Sequence, residues 1–397
     1  MKKVRVPRIS ENAPLWWWVF CATFFLHTVV MLGAHIFGFD ELSSLSDPAT
    51  YHSYAVQIAE RFQNGLFSAR GIYQEHWYPT ALAALYVVAI PSILVGKMAS
   101  VLLAGLSAAL LYGLMRELGG RRDVSFWCAL IAANVYPAFL LFGSTLLKEV
   151  FIVPLVLAAL IISAKMLKSF EPYLFIVFAA LLGLTVTLRL MVGQTVLIAF
   201  LLSWFVAPPI PIRKRVITGA LFLFILGVEI LALGFGFLGS IPTQEIARPA
   251  YIEEYRFIAY SQQKTVSTGS TMNIDIFKEG AFRVAGFFYS FATVALGPFI
   301  WQARKVTHIL GVAESILWLG ALVPITASLW GRVQWRAALP VILFSGAWLV
   351  VVSLGSDNIG ATMRYRIPAF LALTSLAPLG VAVLQSNYAR FIHHHKI

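Results

Sequence analysis

The chain is punctuated by apolar runs of about 17–25 residues, the length a helix needs to cross the hydrocarbon of a bilayer. The first extends from Leu15 to about Phe37, opens on Trp16, Trp17 and Trp18, and follows Lys2, Lys3, Arg5 and Arg8. An aromatic belt behind a basic stretch predicts a first span that starts on the cytoplasmic side. The run is too long for a cleaved signal peptide, and no small-residue cleavage pattern follows it. Further runs are centred near residues 107, 134, 158, 181, 199, 226, 318, 346 and 377. Two more, near 79–96 and 284–302, are interrupted by Pro and Gly and follow polar stretches. They read as interfacial or re-entrant helices. Short alternating strands are absent, so the spans are helices, the form in which backbone satisfies itself in lipid. The expectation is an all-α polytopic membrane protein with about ten transmembrane helices and two outer segments, in a single domain over residues 1–397.

Composition agrees. Of 397 residues, 59% are hydrophobic and 12% charged, against about 45–50% and about 25% in soluble chains. A water-soluble enzyme, a disordered chain and a fibrous repeat are excluded. Cys21 and Cys128 both sit in apolar runs and make neither a disulfide framework nor a four-ligand zinc site. A net charge of +12 suggests nucleic acid only in a soluble domain; here it lies in short loops, where it sets topology.

With the N-terminus inside, the cytoplasmic pieces are 1–14, 116–123, 165–172, 208–215, 331–336 and 388–397, which hold more than half of the 30 Lys and Arg. The far longer outer segments hold the rest. If 284–302 crossed fully, Arg332 and Arg336 would move outside and the bias would weaken, so the re-entrant reading is preferred. Two large outer regions result, 38–97 and 238–307, and the chain is expected in the plasma (inner) membrane with its polar face outward.

Charged residues at span boundaries then become informative, because ionisable groups at membrane depth are costly and default to function. Asp40, Glu41 and Asp47 come directly off the first span. Asp47 precedes Pro48 and suits a helix N-cap; it equally suits a general base at the bilayer surface. The helix would continue through Tyr51, Tyr54, Ala55, Ile58 and Phe62. His76, in Glu75-His76-Trp77-Tyr78-Pro79, is a candidate metal or substrate ligand, and Tyr78 a candidate sugar-stacking or interfacial residue. Lys148-Glu149 sits between two spans on the outer side, as a second acid or as a pair reaching for water. Arg189, Glu229 and Glu314 interrupt apolar runs; a protonated carboxyl bonded to a neighbouring helix accounts for Glu229. Arg364-Tyr365-Arg366, with Arg304 and Lys305, is basic on the side that the charge rule disfavours. Guanidinium groups suit bidentate phosphate binding, although anionic lipid headgroups attract the same charges. Acids and arginines on one face fit a reaction in which a base activates a hydroxyl and cations hold a departing phosphate. No Walker loop, Rossmann fingerprint, HExxH or nucleophile elbow is present, and the inner loops are too short for a nucleotide-sugar site.

Several segments resemble the GT-C superfamily of integral-membrane glycosyltransferases, in particular bacterial relatives of the protein mannosyltransferase and aminoarabinose transferase group. Asp47-Pro48-Ala49-Thr50-Tyr51-His52, with Ala55, Ala59 and Gly65 downstream, resembles that family's first outer loop. Tyr78-Pro79 resembles its juxtamembrane helix, Arg116-Glu117-Leu118-Gly119-Gly120-Arg121-Arg122 an inner loop, Leu146-Leu147-Lys148-Glu149 the segment ending in a second outer acid, and Arg364-Tyr365-Arg366-Ile367-Pro368 a late motif. The likeness covers about residues 15–170 and is looser beyond. It implies a GT-C-like bundle and an inverting transfer, on the extracytoplasmic side, from a polyprenyl-phosphate-linked sugar to a glycan, lipid or protein. Asp47 would be the base, Glu149 would assist a divalent cation or the acceptor, and Arg189, Arg364 and Arg366 would bind the donor phosphate. The acidic pair usual in the first loop is split here, which leaves Asp40 and Glu41 as alternative bases. Lys148 beside Glu149 is unusual for a metal site. Gly297-Pro298-Phe299-Ile300-Trp301 is similar to segments of envelope polysaccharide proteins, so a repeat-unit polymerase joining lipid-linked oligosaccharides is the alternative. A transporter or flippase would be expected to show internal symmetry, and none is visible.

Overall fold

The computed structural model describes residues 14–37, 47–69, 71–72, 77–169, 171–206, 216–217, 219–220, 227, 281–303, 306–330, 335–356 and 358–394. Among these residues there is no strand. The helices are α1 (Leu15–Ile36), α2 (Asp47–Gln63), α3 (Tyr78–Val88), α4 (Ile93–Glu117), α5 (Arg122–Asn134), α6 (Pro137–Phe142), α7 (Glu149–Lys168), α8 (Pro172–Leu188), α9 (Leu190–Val206), α10 (Ala281–Leu296), α11 (Val306–Trp330), α12 (Trp335–Gly355), α13 (Ile359–Tyr365), α14 (Ile367–Thr374) and α15 (Ala377–His394). Proline marks many of their starts: Pro79, Pro137, Pro172 and Pro368 each fall in the first two helical positions, where a missing N–H costs nothing. Elsewhere polar side chains cap. Ser92 accepts from Leu94 N at 3.3 Å to start α4, and Asn358 accepts from Ala361 N at 3.2 Å to start α13.

Among the described residues, six helical stretches are long and apolar enough to cross a bilayer: Leu15–Ile36, Ile93–Glu117, Glu149–Lys168, His308–Trp330, Trp335–Gly355 and Ile367–Tyr388. The chain is a multi-pass membrane protein. The other apolar helices among the described residues are shorter. α8 and α9 have 17 residues each, about 25 Å of helix, against about 30 Å of hydrocarbon. The run centred near 134 is divided into α5 and α6, because Pro137 lacks a donor and disfavours helical backbone at Tyr136. The segment 79–96 is α3 plus the first turn of α4, parted around Pro91. The run near 226 and Glu229 lie outside the described residues.

α7 is the centre of the bundle: 67% of its apolar window is buried, against 22% for α1. It packs on α4, α8 and α12, while α1 packs on α4 and α5, α9 on α12, and α11 on α15. Trp16, Trp17, Trp18 and Phe25 of α1 stay exposed, as lipid contact requires. Lipid is as apolar as leucine, so close approach and interhelical hydrogen bonds must supply specificity. Asn134 donates to Thr23 at 3.0 Å, the Ser345 hydroxyl donates to Ala369 O at 3.2 Å, and Trp318 Nε1 donates to Ala295 O at 2.9 Å. At Gly380 a Cβ would run into the Pro324 carbonyl, so α11 and α15 meet there backbone to backbone.

Candidate functional site

Four helix ends converge at one end of the bundle, and each presents the charge that its helix dipole favours. Asp47 is in the first turn of α2 and Glu149 in the first turn of α7. Arg189 follows the last turn of α8, and Arg364 lies in the last turn of α13. The α8–α9 hairpin turns within a single extended residue, Arg189 (φ −160°, ψ 101°). Its tip is tied to α3 by Trp77 N donating to Thr187 O at 3.3 Å. Tyr365 is anchored by its own carbonyl, which accepts from Trp348 Nε1 at 2.7 Å.

The charges form one chain of contacts. Arg364 Nη1 donates to Asp47 Oδ2 at 2.6 Å, and Arg364 Nε lies 3.5 Å from Glu149 Oε1. The same Oε1 accepts from Arg189 Nη1 at 3.1 Å. Tyr365 fills the space between the guanidinium groups. Arg189 sits over its ring, 3.8 Å from the centroid, and Arg364 Nη2 donates to its hydroxyl at 3.3 Å. Burial pushes the Tyr365 phenol up, but Arg189 and Arg364 pull it down further, to below its ordinary value. Burial, and then Arg189, lowers the Lys148 amine. Exposure differs sharply along the chain: the Asp47 side chain is 46% exposed and that of Glu149 4%. Glu149 Oε2 is buried with no hydrogen-bond partner among the described residues.

Of the residues singled out in the sequence, Asp47, Glu149, Arg189, Arg364 and Tyr365 therefore meet in one cluster. Tyr78 and Arg366 do not line it. Tyr78 is fully buried beneath it, edge-on to Tyr51 and Phe151 at 5.0 and 5.1 Å. Arg366 is fully buried on the other side of the α13–α14 junction. It pairs with the equally buried Glu314 and donates to Gly297 O and, at 3.2 Å, to Val294 O. Positions 364 and 366 lie about 200° apart around a helix axis, so the two arginines face opposite ways. Glu314 Oε2 in turn accepts from Ala138 N at 2.7 Å. That caps a donor exposed by the Pro137 break and gives the sequence-flagged Glu314 a structural task. Asp40, Glu41, His76, Arg304 and Lys305 lie outside the described residues.

A divalent cation does not fit the described cluster. Its one deeply buried carboxylate already shares an oxygen between two guanidinium groups, and the Lys148 amine lies within electrostatic reach of the same groups. No group of three His, Cys, Asp or Glu suited to a metal occurs among the described residues. The sequence singles out Lys148 together with Glu149 as an ionisable pair but gives the lysine no role of its own in the cluster. Sequence reasoning missed His52, one turn beyond Asp47, whose Nδ1 lies 2.8 Å from the Tyr86 hydroxyl and whose basicity burial lowers. Compared with models of known protein families and with characterised proteins, the chain matches none.

Proposed function

We propose that this protein is a membrane glycosyltransferase of GT-C type. It would move a sugar from a polyprenyl-phosphate donor to a hydroxyl of a glycan, lipid or protein, in cell-envelope assembly. The observation that carries this reading is the contact chain Asp47–Arg364–Glu149–Arg189, assembled from four distant parts of the sequence at one end of an apolar bundle. A carboxylate at the membrane edge is placed to take the proton of an acceptor hydroxyl. The hydroxyl oxygen then attacks the anomeric carbon, the bond from that carbon to the phosphate oxygen breaks, and the electron pair leaves with the polyprenyl phosphate. Arg364 and Arg189 stabilise the charge that develops there, the role that fixed donors serve best in a water-poor site. Asp47, the more exposed acid, is the base. Glu149 holds the two arginines in position and offers Oε2 to the acceptor hydroxyl. No step needs a metal. In this reading the chain crosses the plasma membrane about ten times, with the α5–α6 pair, α8, α9 and the run near 226 completing the set and the cluster on the extracytoplasmic face.

The test is transfer from a panel of polyprenyl-linked sugars, with product analysis, in proteoliposomes. General-base catalysis contributes about 10²–10⁴-fold, so Asp47→Asn is expected to slow transfer at least about 100-fold while the protein stays folded in membranes. Full activity in that variant removes Asp47 from the mechanism. Absence of product with every donor removes the transferase reading.

A further inference from the structure

Each nitrogen of the Arg364 guanidinium faces a partner: Asp47 accepts from Nη1, Tyr365 accepts from Nη2, and Glu149 Oε1 lies 3.5 Å from Nε, which makes no hydrogen bond among the described residues. A phosphate that grips Arg364 through two parallel N–H groups competes with these partners for the guanidinium. Glu149 is 4% exposed and also held by Arg189. Tyr365 is the neighbouring residue, pinned through Trp348 and covered by Arg189. Asp47 is 46% exposed, and Arg364 is its one ion-pair partner among the described residues. Of the three partners Asp47 is the one most open to water, so its contact yields most easily. Lys148 points to where a phosphate would settle. It lies within electrostatic reach of Arg189, Glu149, Tyr365 and Arg364, yet its amine has no hydrogen bond or ion pair among the described residues. Among the described residues, Arg189, Arg364 and, when protonated, Lys148 outnumber Asp47 and Glu149, a surplus that one phosphate anion would neutralise.

We infer that the Asp47 carboxylate occupies on Arg364 the position that a substrate phosphate takes, and that phosphate binding to Arg364 and Lys148 releases Asp47. This rests on the transferase reading and deepens it. The base is masked while the site is empty and becomes free when the donor is seated. The consequence would be that hydroxyls, water included, are activated only in the presence of the leaving group.

The prediction is a pair of opposed effects. Binding of farnesyl phosphate to the full-length protein in phosphatidylcholine nanodiscs is measured by calorimetry, with inorganic phosphate and phosphatidylglycerol nanodiscs as separate arms. Asp47→Asn should bind farnesyl phosphate up to about fivefold tighter, because the competing carboxylate is gone. Asp47→Ser, which also keeps a helix-capping side chain, should behave alike. Lys148→Ala should weaken binding by about tenfold or more, the usual scale for a hydrogen bond to a charged group. Wild-type binding with unchanged or weaker affinity in both Asp47 variants overturns the exchange and leaves the transferase reading standing. Absence of wild-type binding overturns both. Equal tightening toward inorganic phosphate or phosphatidylglycerol keeps the exchange but removes the polyprenyl donor as its cause.

Discussion

Arg364 and Arg366 differ by two positions and by everything else. Arg364 joins two acids at the rim of the bundle; Arg366 is sealed in its interior against Glu314 and two carbonyls. Removing one partner of a fully buried pair leaves an uncompensated charge, a loss of about 3–5 kcal/mol. Arg366→Ala should therefore unfold at a clearly lower temperature than the parent in detergent. Arg364→Ala should melt close to it, because Arg189 still holds Glu149 and Asp47 returns to water. If the two variants melt alike, the assignment of separate roles fails. Replacing Arg366 and Glu314 together by leucine should recover much of the lost stability, since apolar packing often substitutes for a buried pair at little net cost. The motif Arg-Tyr-Arg reads in sequence as one phosphate site; only the helical phase of its residues separates the two arginines.

At the scale of elements, the α8–α9 hairpin controls where Arg189 stands. The turn is so tight that Gly193 of α9 packs against Val186 of α8: a Cβ there would lie 3.1 Å from Val186 N and would overlap the Val186 side chain. Gly193→Leu should force the helices apart at an overpacking cost of about 1–3 kcal/mol and pull Arg189 from Glu149. The expected result is a folded protein with weakened phosphate binding, measured in the same calorimetric assay; unchanged binding would show that the hairpin does not position the arginine. The sequence carries this hairpin only faintly. Two apolar runs flanking a single arginine identify a boundary, but the close approach at its tip depends on a glycine that looks unremarkable in a membrane helix.

For the whole molecule, the decisive prediction is sidedness. Lys168 at the end of α7 bonds Glu117 at the end of α4, 2.9 Å apart, so these two helices run the same way and their other ends share the face of the cluster. In a background with Cys21 and Cys128 replaced by serine, a cysteine at Thr50 and one at Ser169 should react with an impermeant maleimide from opposite sides of the membrane. Reaction from one side contradicts the arrangement. Much of this plan is present in the chain without reference to its folding. Run length and apolarity commit it to membrane helices, proline chooses where many of them begin, and charges collect at helix ends whose dipoles suit them. Which charges meet is another matter. Asp47, Glu149, Arg189 and Arg364 are separated by stretches that carry no common period, so no local pattern couples them. Helix packing around α7 brings the first three to one end of the bundle, and the rotation of α13 about its own axis turns Arg364 toward them while sending Arg366 into the core.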